Sequence, residues 1–329
     1  MTKDFKTKEG LNPKEIKEDK SNILRPKKIE DFIGQDSIKS NLKTFIKSSI
    51  KSKKNLDHII LYGPPGLGKT TLANIISSER NVNIHSTSGP AFTKKGDLVT
   101  LLSNLSEGDI LFIDEIHRLS PIIEETLYPA MEDFKCDYVI GSGPSARVMQ
   151  ISIEHFTLIG ATTRLGLISR PLRDRFGIPL QLDFYDSTAL KQIIMNNCKK
   201  YNYTVEDKAA LEVANRSRGT PRIAIRLLKR IIDFAVVQDQ DFIDFEIVSK
   251  SLSLMHIDSQ GLDDMDRKYL KCIYNNYSGG PVGIDTLSAA LLEQKDIIED
   301  VIEPYLMQKG FVQRTPRGRI ITKKGTSHI

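Results

Sequence analysis

Residues 63–70, Gly-Pro-Pro-Gly-Leu-Gly-Lys-Thr, satisfy the pattern GxxxxGK followed by Ser or Thr, and they sit between an apolar run and a helix-like one. Before them, Ile59-Ile60-Leu61-Tyr62 is short, apolar and partly β-branched; after them, Thr71-Leu72-Ala73-Asn74-Ile75-Ile76 spaces apolar residues at helical intervals. A strand, a glycine-rich turn and a helix in this order form a phosphate cradle, which commits the chain to an α/β nucleotide-binding domain. Gly66 and Gly68 let successive backbone N–H groups turn toward phosphate, and the helix N-terminus adds a favourable dipole. Lys69 is then expected to reach the β- and γ-phosphates of ATP, and the Thr70 hydroxyl to ligate Mg2+.

Residues 1–20 mix Lys with Asp and Glu and carry little apolar content, the composition of a mobile tail; the fold is expected to begin near Ile23. Over residues 21–185 apolar strands alternate with helices, and the runs at 59–62, 110–113 and 156–160 each end at a polar cluster. That alternation predicts a mostly parallel sheet covered by helices, with the ligand crevice at the carboxyl ends of the strands. Residues 136–150 place two β-rich arms around Gly141-Ser142-Gly143-Pro144 and predict a projecting hairpin. Over 186–257 the period turns helical, with Ser187 expected as a cap, a helix around 209–215 and another opening at Thr220-Pro221-Arg222. Residues 258–329 open on a linker, Asp258-Ser259-Gln260-Gly261, and continue with helical runs at 265–276, 284–292 and 296–307. A short hairpin about Thr315-Pro316-Arg317-Gly318 follows, and three helices with such a hairpin describe a winged helix.

The chain of 329 residues is 40% hydrophobic and 27% charged, ordinary for a soluble protein of two or three domains. Cys136, Cys198 and Cys272 are widely separated and no His stands at metal-ligand spacing, so neither a disulfide framework nor a zinc site is indicated. No run approaches the roughly 20 apolar residues of a membrane span, and the first residues lack a signal peptide's apolar core. A cytoplasmic protein with no membrane partner is expected.

The run 110–113 ends in Asp114-Glu115, about 45 residues past the phosphate loop. Asp114 is expected to hold Mg2+ and Glu115 to polarise the attacking water, because hydrolysis needs a base within hydrogen-bond reach. The third run ends at Ala161-Thr162-Thr163-Arg164, where Thr163, or alternatively Thr162, is placed to sense the γ-phosphate. Ser169 to Gly177 is an arginine-dense loop, and fixed guanidinium charge stabilises a transferring phosphoryl group. Arg222 opens a helix of the second domain and is expected to reach back to the nucleotide across an interdomain cleft. His117 is assigned a structural or coupling role, since Glu115 already supplies a base.

Net charge is only +5, but its distribution is uneven. Beyond Glu303 there is no acidic residue, while Lys309, Arg314, Arg317, Arg319, Lys323 and Lys324 gather around the hairpin. The preceding helix carries Asp296, Glu299, Asp300 and Glu303, which would repel phosphates. The wing, through Arg314, Arg317 and Arg319, is therefore expected to grip DNA by its backbone, without sequence preference. A protein-binding role for the winged helix is the alternative.

Taken together, Leu24-Arg25-Pro26, the loop 63–71, residues 114–119 (Asp-Glu-Ile-His-Arg-Leu), residues 160–164 (Gly-Ala-Thr-Thr-Arg), residues 218–222 (Arg-Gly-Thr-Pro-Arg) and residues 314–319 (Arg-Thr-Pro-Arg-Gly-Arg) resemble the bacterial RuvB family. These are AAA+ motors of Holliday-junction branch migration in recombination and DNA repair, and the resemblance spans residues 22–321. It implies an AAA+ ATPase domain with a small helical domain and a winged helix, a homohexameric ring around double-stranded DNA at four-way junctions, and work beside the junction-binding protein RuvA and the resolvase RuvC. It implies that Arg175 acts in trans on a neighbour's ATP, with Arg173 as the alternative, and that Arg222 senses nucleotide in cis. It further implies nucleotide contacts at Leu24, Arg25, Thr71 and Tyr185, a nearby segment Glu132-Asp133-Phe134, and a partner-binding hairpin at 136–150. Lys295 stands where the family often carries Arg. A sliding-clamp loader shares the phosphate loop and paired acids but ends in a helical collar; a nucleotide-gated scaffold would hydrolyse little.

Overall fold

The computed structural model describes residues 25–140 and 147–329; the tail, the expected start at Ile23, Leu24 and the hairpin tip at Gly141-Ser142-Gly143-Pro144 lie outside them. Strands β1 (Ile59–Tyr62), β2 (Ile84–Ser88), β3 (Ile110–Asp114), β6 (Thr157–Thr162) and β7 (Ile178–Gln181) form one parallel sheet in the order β2-β3-β6-β1-β7. β4 (Lys135–Ile140) and β5 (Arg147–Ser152) pair antiparallel as the expected hairpin.

Alternation along each strand explains the layering. Ile59 and Leu61 face one way, with Ile110, Phe112, Ile159 and Ala161, toward α1 (Asp36–Ser52) and α2 (Lys69–Arg80). Ile60, Leu111, Ile113 and Leu158 face the other way, toward α3 (Lys95–Ser103) and α4 (Pro121–Glu132). A parallel sheet buried on both faces reads as a continuous apolar run, which is why its three central strands were visible in the sequence. The two edge strands were not. β2 is Ile-His-Ser-Thr-Ser, half-buried except at exposed Ser86, and β7 carries Pro179, which an edge strand accepts because it leaves no ladder partner unsatisfied.

Two local expectations change. The arginine-dense segment is not a loop: Ser169 Oγ accepts from Leu172 N and starts a short helix, α5 (Arg170–Asp174). Asp186, not Ser187, caps α6 (Ser187–Lys200), its carboxylate accepting from Ala189 N. The second domain continues with α7 (Asp207–Asn215), α8 (Pro221–Val237) and α9 (Phe245–Leu254), and a parallel pair of short strands, β8 (Thr204–Val205) and β9 (Phe242–Ile243), joins its loops.

The helical domain shares its core with the sheet domain: Leu190, Ile194, Leu227 and Val248 belong to the same buried cluster as Ile59 and Leu72. The C-terminal domain has a separate core around Tyr269, Leu287, Leu306 and Phe311. It comprises α10 (Asp264–Lys271), α11 (Ile284–Leu291), a helix running from Lys295 to Gln308 whose middle, Ile298–Ile302, is in π register, and the antiparallel strands β10 (Val312–Thr315) and β11 (Gly318–Ile321). This is the expected winged helix, and ion pairs of Arg164 with Asp300 and of Arg218 with Asp263 and Asp266 link it to the rest of the chain. Among the described residues no helix is long and apolar enough to cross a membrane.

Candidate active site

The phosphate loop leaves β1 and enters α2 at the carboxyl edge of the sheet, as the strand-turn-helix reading requires. Gly68, with φ 103°, is the residue before the first turn of α2, and Gly66, with φ 81°, lies where a Cβ would come within 3.0 Å of Arg222 Cβ. A side chain at either position would strain the loop and press on Arg222 or on the Phe32 ring. Lys69 is buried, and its Nζ donates to the carbonyls of Gly63 at 2.7 Å and Pro64 at 2.9 Å. Burial pushes the ammonium pKa down to about 8, against the opposing pull of the Asp114 carboxylate.

That shift has a measurable consequence. A bound triphosphate favours charged Lys69 and raises its pKa, so binding takes up a proton above about pH 8. ATP affinity is therefore expected to be flat below that pH and to fall above it, by up to ~10-fold per pH unit. Calorimetry in buffers of different ionisation heat checks this; a Lys69→Met variant should show no such uptake.

Asp114 ends β3, and its Oδ1 accepts from Glu115 N at 2.9 Å. The hard oxygens of Asp114 and Thr70 fit Mg2+, which takes one or two protein ligands and completes its shell with water and substrate phosphate. Among the described residues no group of three His, Cys, Asp or Glu stands together as a metal cluster. Glu115 stands at φ 48°, a left-handed conformation costly for a non-glycine residue and frequent at functional sites. Its exposed carboxylate accepts from Arg118 Nη1 at 3.0 Å, a surface pair weak enough to exchange readily.

At the end of β6 the two threonines separate. Thr162 is buried; its Oγ1 lies 3.0 Å from His117 Nδ1 and accepts from Arg164 N at 2.9 Å. Thr163 is half-buried and lines a cleft of about 640 Å³ with Tyr62 of β1 and Gly63, Pro64 and Pro65 of the phosphate loop. Burial lowers the His117 pKa, offset in part by Glu115, so the imidazole is neutral and serves as a hydrogen-bond partner of Thr162.

Arg222 follows Pro221 at the start of α8, and its N donates to Gly66 O at 3.3 Å. The helical domain thus seats this arginine directly on the phosphate loop. Tyr185 is buried over the same loop and donates through its hydroxyl to Leu67 O at 3.2 Å, with Gly34 and Phe32 packed beside it. Thr70 and Thr71 lie in the first turn of α2, and Arg25 is exposed at the start of the described chain. Phe32, Gly34 and Gln35 escaped the sequence reading; Gln35 Nε2 donates to Asp183 O at 2.6 Å and ties the N-terminal segment to the end of the sheet domain.

Arg175 belongs to a different group. Its guanidinium donates to Pro171 O at 2.7 Å and Glu132 Oε2 at 2.9 Å and lies 4.5 Å from the centre of the Tyr128 ring. Glu132, Asp133 and Phe134 therefore gather at the α4 terminus with Arg175, Phe134 packing on His155 at 3.9 Å between ring centres. Arg173 is exposed on α5.

In the wing, Arg317 is exposed at the hairpin tip, and Arg314 is exposed but 3.1 Å from Glu299 and on the rim of the cleft. Arg319 departs from expectation. It is only 5% exposed, donating through Nε to Glu303 Oε1 at 2.7 Å and through Nη2 to Glu299 Oε1 at 2.9 Å. β-strand alternation turns Arg319 inward onto the acidic helix, so it is a core ion pair and is withdrawn as a DNA contact. Lys295 pairs with Asp285 inside the same domain.

Three family models match in succession along the chain: the Holliday junction DNA helicase RuvB P-loop domain over residues 24–182, the RuvB AAA lid domain over 185–258 and the RuvB C-terminal winged helix domain over 259–329. A Holliday junction branch migration complex subunit RuvB from Orientia tsutsugamushi (strain Ikeda) is 56% identical over 97% of this chain and 98% of its own length. The Thermotoga maritima RuvB Holliday junction branch migration motor superposes with TM-score 0.86 at 51% identity, covering 93% of this chain and 97% of that one. A variant of the same Thermotoga protein gives TM-score 0.87 at 50% identity over 92% and 98%.

Proposed function

The chain belongs to the RuvB family, and from that premise we propose that it is an ATP-driven double-stranded DNA translocase that moves Holliday junctions during recombination and repair. The observation that carries the catalytic half is the convergence of Lys69, Asp114, Glu115, Thr163 and Arg222 at one edge of the sheet, with the helical domain resting on the phosphate loop through Arg222, and Tyr185, where the two domains join, bonded to the same loop. Hydrolysis that changes the phosphate contacts thereby changes the seat of a second domain, which is the means of turning chemistry into movement. Thr70 and Asp114 would hold Mg2+, which supplies charge neutralisation at the phosphates when bound. Lys69 binds and orients the phosphates, Glu115 accepts the proton of the attacking water, and Thr163 and Arg222 sense the γ-phosphate. Arg175 completes the site of the next subunit in a homohexameric ring, where Glu132, Asp133 and Phe134 would meet the neighbour's nucleotide.

The wing supplies the grip on DNA. Arg317, exposed and with no side-chain partner among the described residues, leads, with Arg314 beside it once free of Glu299. RuvA is the partner for the β4–β5 hairpin, whose Tyr138 and Met149 are exposed apolar residues, and RuvC the resolvase that follows; the cytoplasm is the site of action. The acid-free wing separates this reading from a clamp loader.

A branch-migration assay on a four-way DNA junction, with and without RuvA, tests the whole; no ATP-dependent strand exchange under either condition would refute it. Glu115→Gln is expected to preserve ATP binding and lower turnover by roughly 10²-fold, and unchanged turnover would remove the base assignment. Arg317→Ala is expected to weaken binding evenly across duplex sequences and to reduce the slope of log affinity against log salt by about 1. A loss confined to certain sequences would contradict a backbone grip.

A further inference from the structure

The acidic third helix of the winged domain meets the ATPase domain through Asp296 and Asp300. Arg164, next to the proposed γ-phosphate sensor Thr163 just past β6, reaches it in a fork: Nε donates to Asp300 Oδ1 at 2.8 Å and Nη2 to Asp300 Oδ2 at 2.6 Å, with Asp296 Oδ1 a further 3.3 Å contact. Two parallel bonds fix orientation as well as distance. The same residue's N–H donates to Thr162 Oγ1, which is in hydrogen-bond contact with His117, and His117 follows Glu115 by two residues on one short 3-10 turn. The contact closes one wall of the cleft lined by Gly63, Pro64, Thr163, Glu299, Asp300 and Arg314, so a shift of the winged domain moves that wall against Pro64 and Thr163. Asp300 lies in the π-register stretch Ile298–Ile302, an irregularity frequent at functional positions.

We infer that Arg164 is a positioning residue that couples the seat of the winged domain to the sensor strand, and that Asp300 is its counterpart on that domain. The inference rests on the function proposed above and adds the route by which DNA held by the wing reaches the hydrolytic site. Because coupling between two sites is reciprocal, nucleotide at the phosphate loop also biases the seat of the winged domain. The ion pair is partly exposed, with side chains 27% and 36% accessible, which suits a contact made and broken in each cycle better than a permanent lock.

The test uses the full chain. Asp300→Asn keeps the shape of the contact and removes its charge; it is expected to leave basal ATP turnover and KM within about twofold and to cut the stimulation of kcat by duplex DNA by threefold or more. The exchange Arg164→Asp with Asp300→Arg should restore at least half of that stimulation. Equal loss of basal and stimulated turnover, leaving their ratio unchanged, would mean a merely structural contact and overturn the inference, as would full stimulation in Asp300→Asn. A second measurement needs no DNA: spin labels at Ile50→Cys on α1 and Leu292→Cys on the winged domain, both exposed sites, report their separation with and without a non-hydrolysable ATP analogue. A nucleotide-dependent change lost in Asp300→Asn supports the coupling; an identical change in both proteins, or none in the parent, overturns it. Absence of DNA-stimulated turnover in the unaltered chain would instead refute the proposed function, and the label measurement would still decide the coupling.

Discussion

Arg175→Ala is expected to lower ATP turnover by ~10³–10⁵ while ATP still binds, because a guanidinium fixed opposite the transferring phosphoryl group contributes to the transition state and little to the ground state. The structure gives this arginine a built platform. Pro171 O and Glu132 Oε2 hold its Nη atoms, and the Tyr128 ring lies beneath its charge. That platform is grouped with the end of α4 and not with the residues on the phosphate loop, which suits action on a neighbour. Steady-state turnover with parallel nucleotide-binding titration measures the effect. Mixing Arg175→Ala with Lys69→Ala should restore some turnover where an intact arginine faces an intact loop, and crosslinking from position 175 should label a neighbour's nucleotide. Crosslinking only to the chain's own nucleotide would sink the trans assignment. Arg175→Lys should not rescue, since an ammonium cannot form the same fork.

Arg319→Ala is expected to destabilise the winged domain by about 3–5 kcal/mol, the cost of leaving a buried charge without its partner. Glu303 is fully buried and receives both Arg319 Nε and the Tyr269 hydroxyl, the latter at 2.9 Å. Removing the guanidinium leaves that carboxylate with one donor in a low-dielectric core. Burial and the adjacent Glu303 already raise the Tyr269 pKa, so the phenol remains a neutral donor and cannot replace the charge. Because this domain has its own core, calorimetry should show a separate early transition in the variant, with the other two domains melting as before. Replacing Arg319 and Glu303 together by Met and Leu should recover much of the loss. If Arg319→Ala melted as the parent does and only DNA affinity fell, the inward placement would not describe the protein in solution. Arg317→Ala is the control, a surface change with an expected stability effect within about 0.5 kcal/mol.

The candidate catalytic residues stood out because each lies next to a strong local signal: Lys69 and Thr70 in a glycine-rich turn, Asp114 and Glu115 at the end of an apolar strand, Arg222 after a helix-starting proline. The edge strands β2 and β7 carried no such signal, since one solvated side relieves the demand for apolar residues. Arg319 was misread for a related reason. Charge counted along the chain cannot tell which way a strand residue points, and inward and outward positions alternate every residue. The acids of the third helix were seen as repelling DNA, but not as partners for Arg319, Arg314 and Arg164. Phe32 and Gln35 were missed because their contacts to the phosphate loop and Asp183 span long stretches of chain.

By itself the sequence determined the nucleotide chemistry, the parallel sheet, the helical second domain and the winged end, because those follow from spacing within a few residues: glycines that turn, apolar periods of two or 3.6, a proline that starts a helix. Only the tertiary structure decided which charges meet. It joined the helical domain to the sheet in one apolar core, left the winged domain attached by ion pairs, buried Arg319 and set Arg164 against Asp300. Electrostatic pairing acts through space at a few ångströms, and two residues 136 positions apart have no local pattern that announces they will touch.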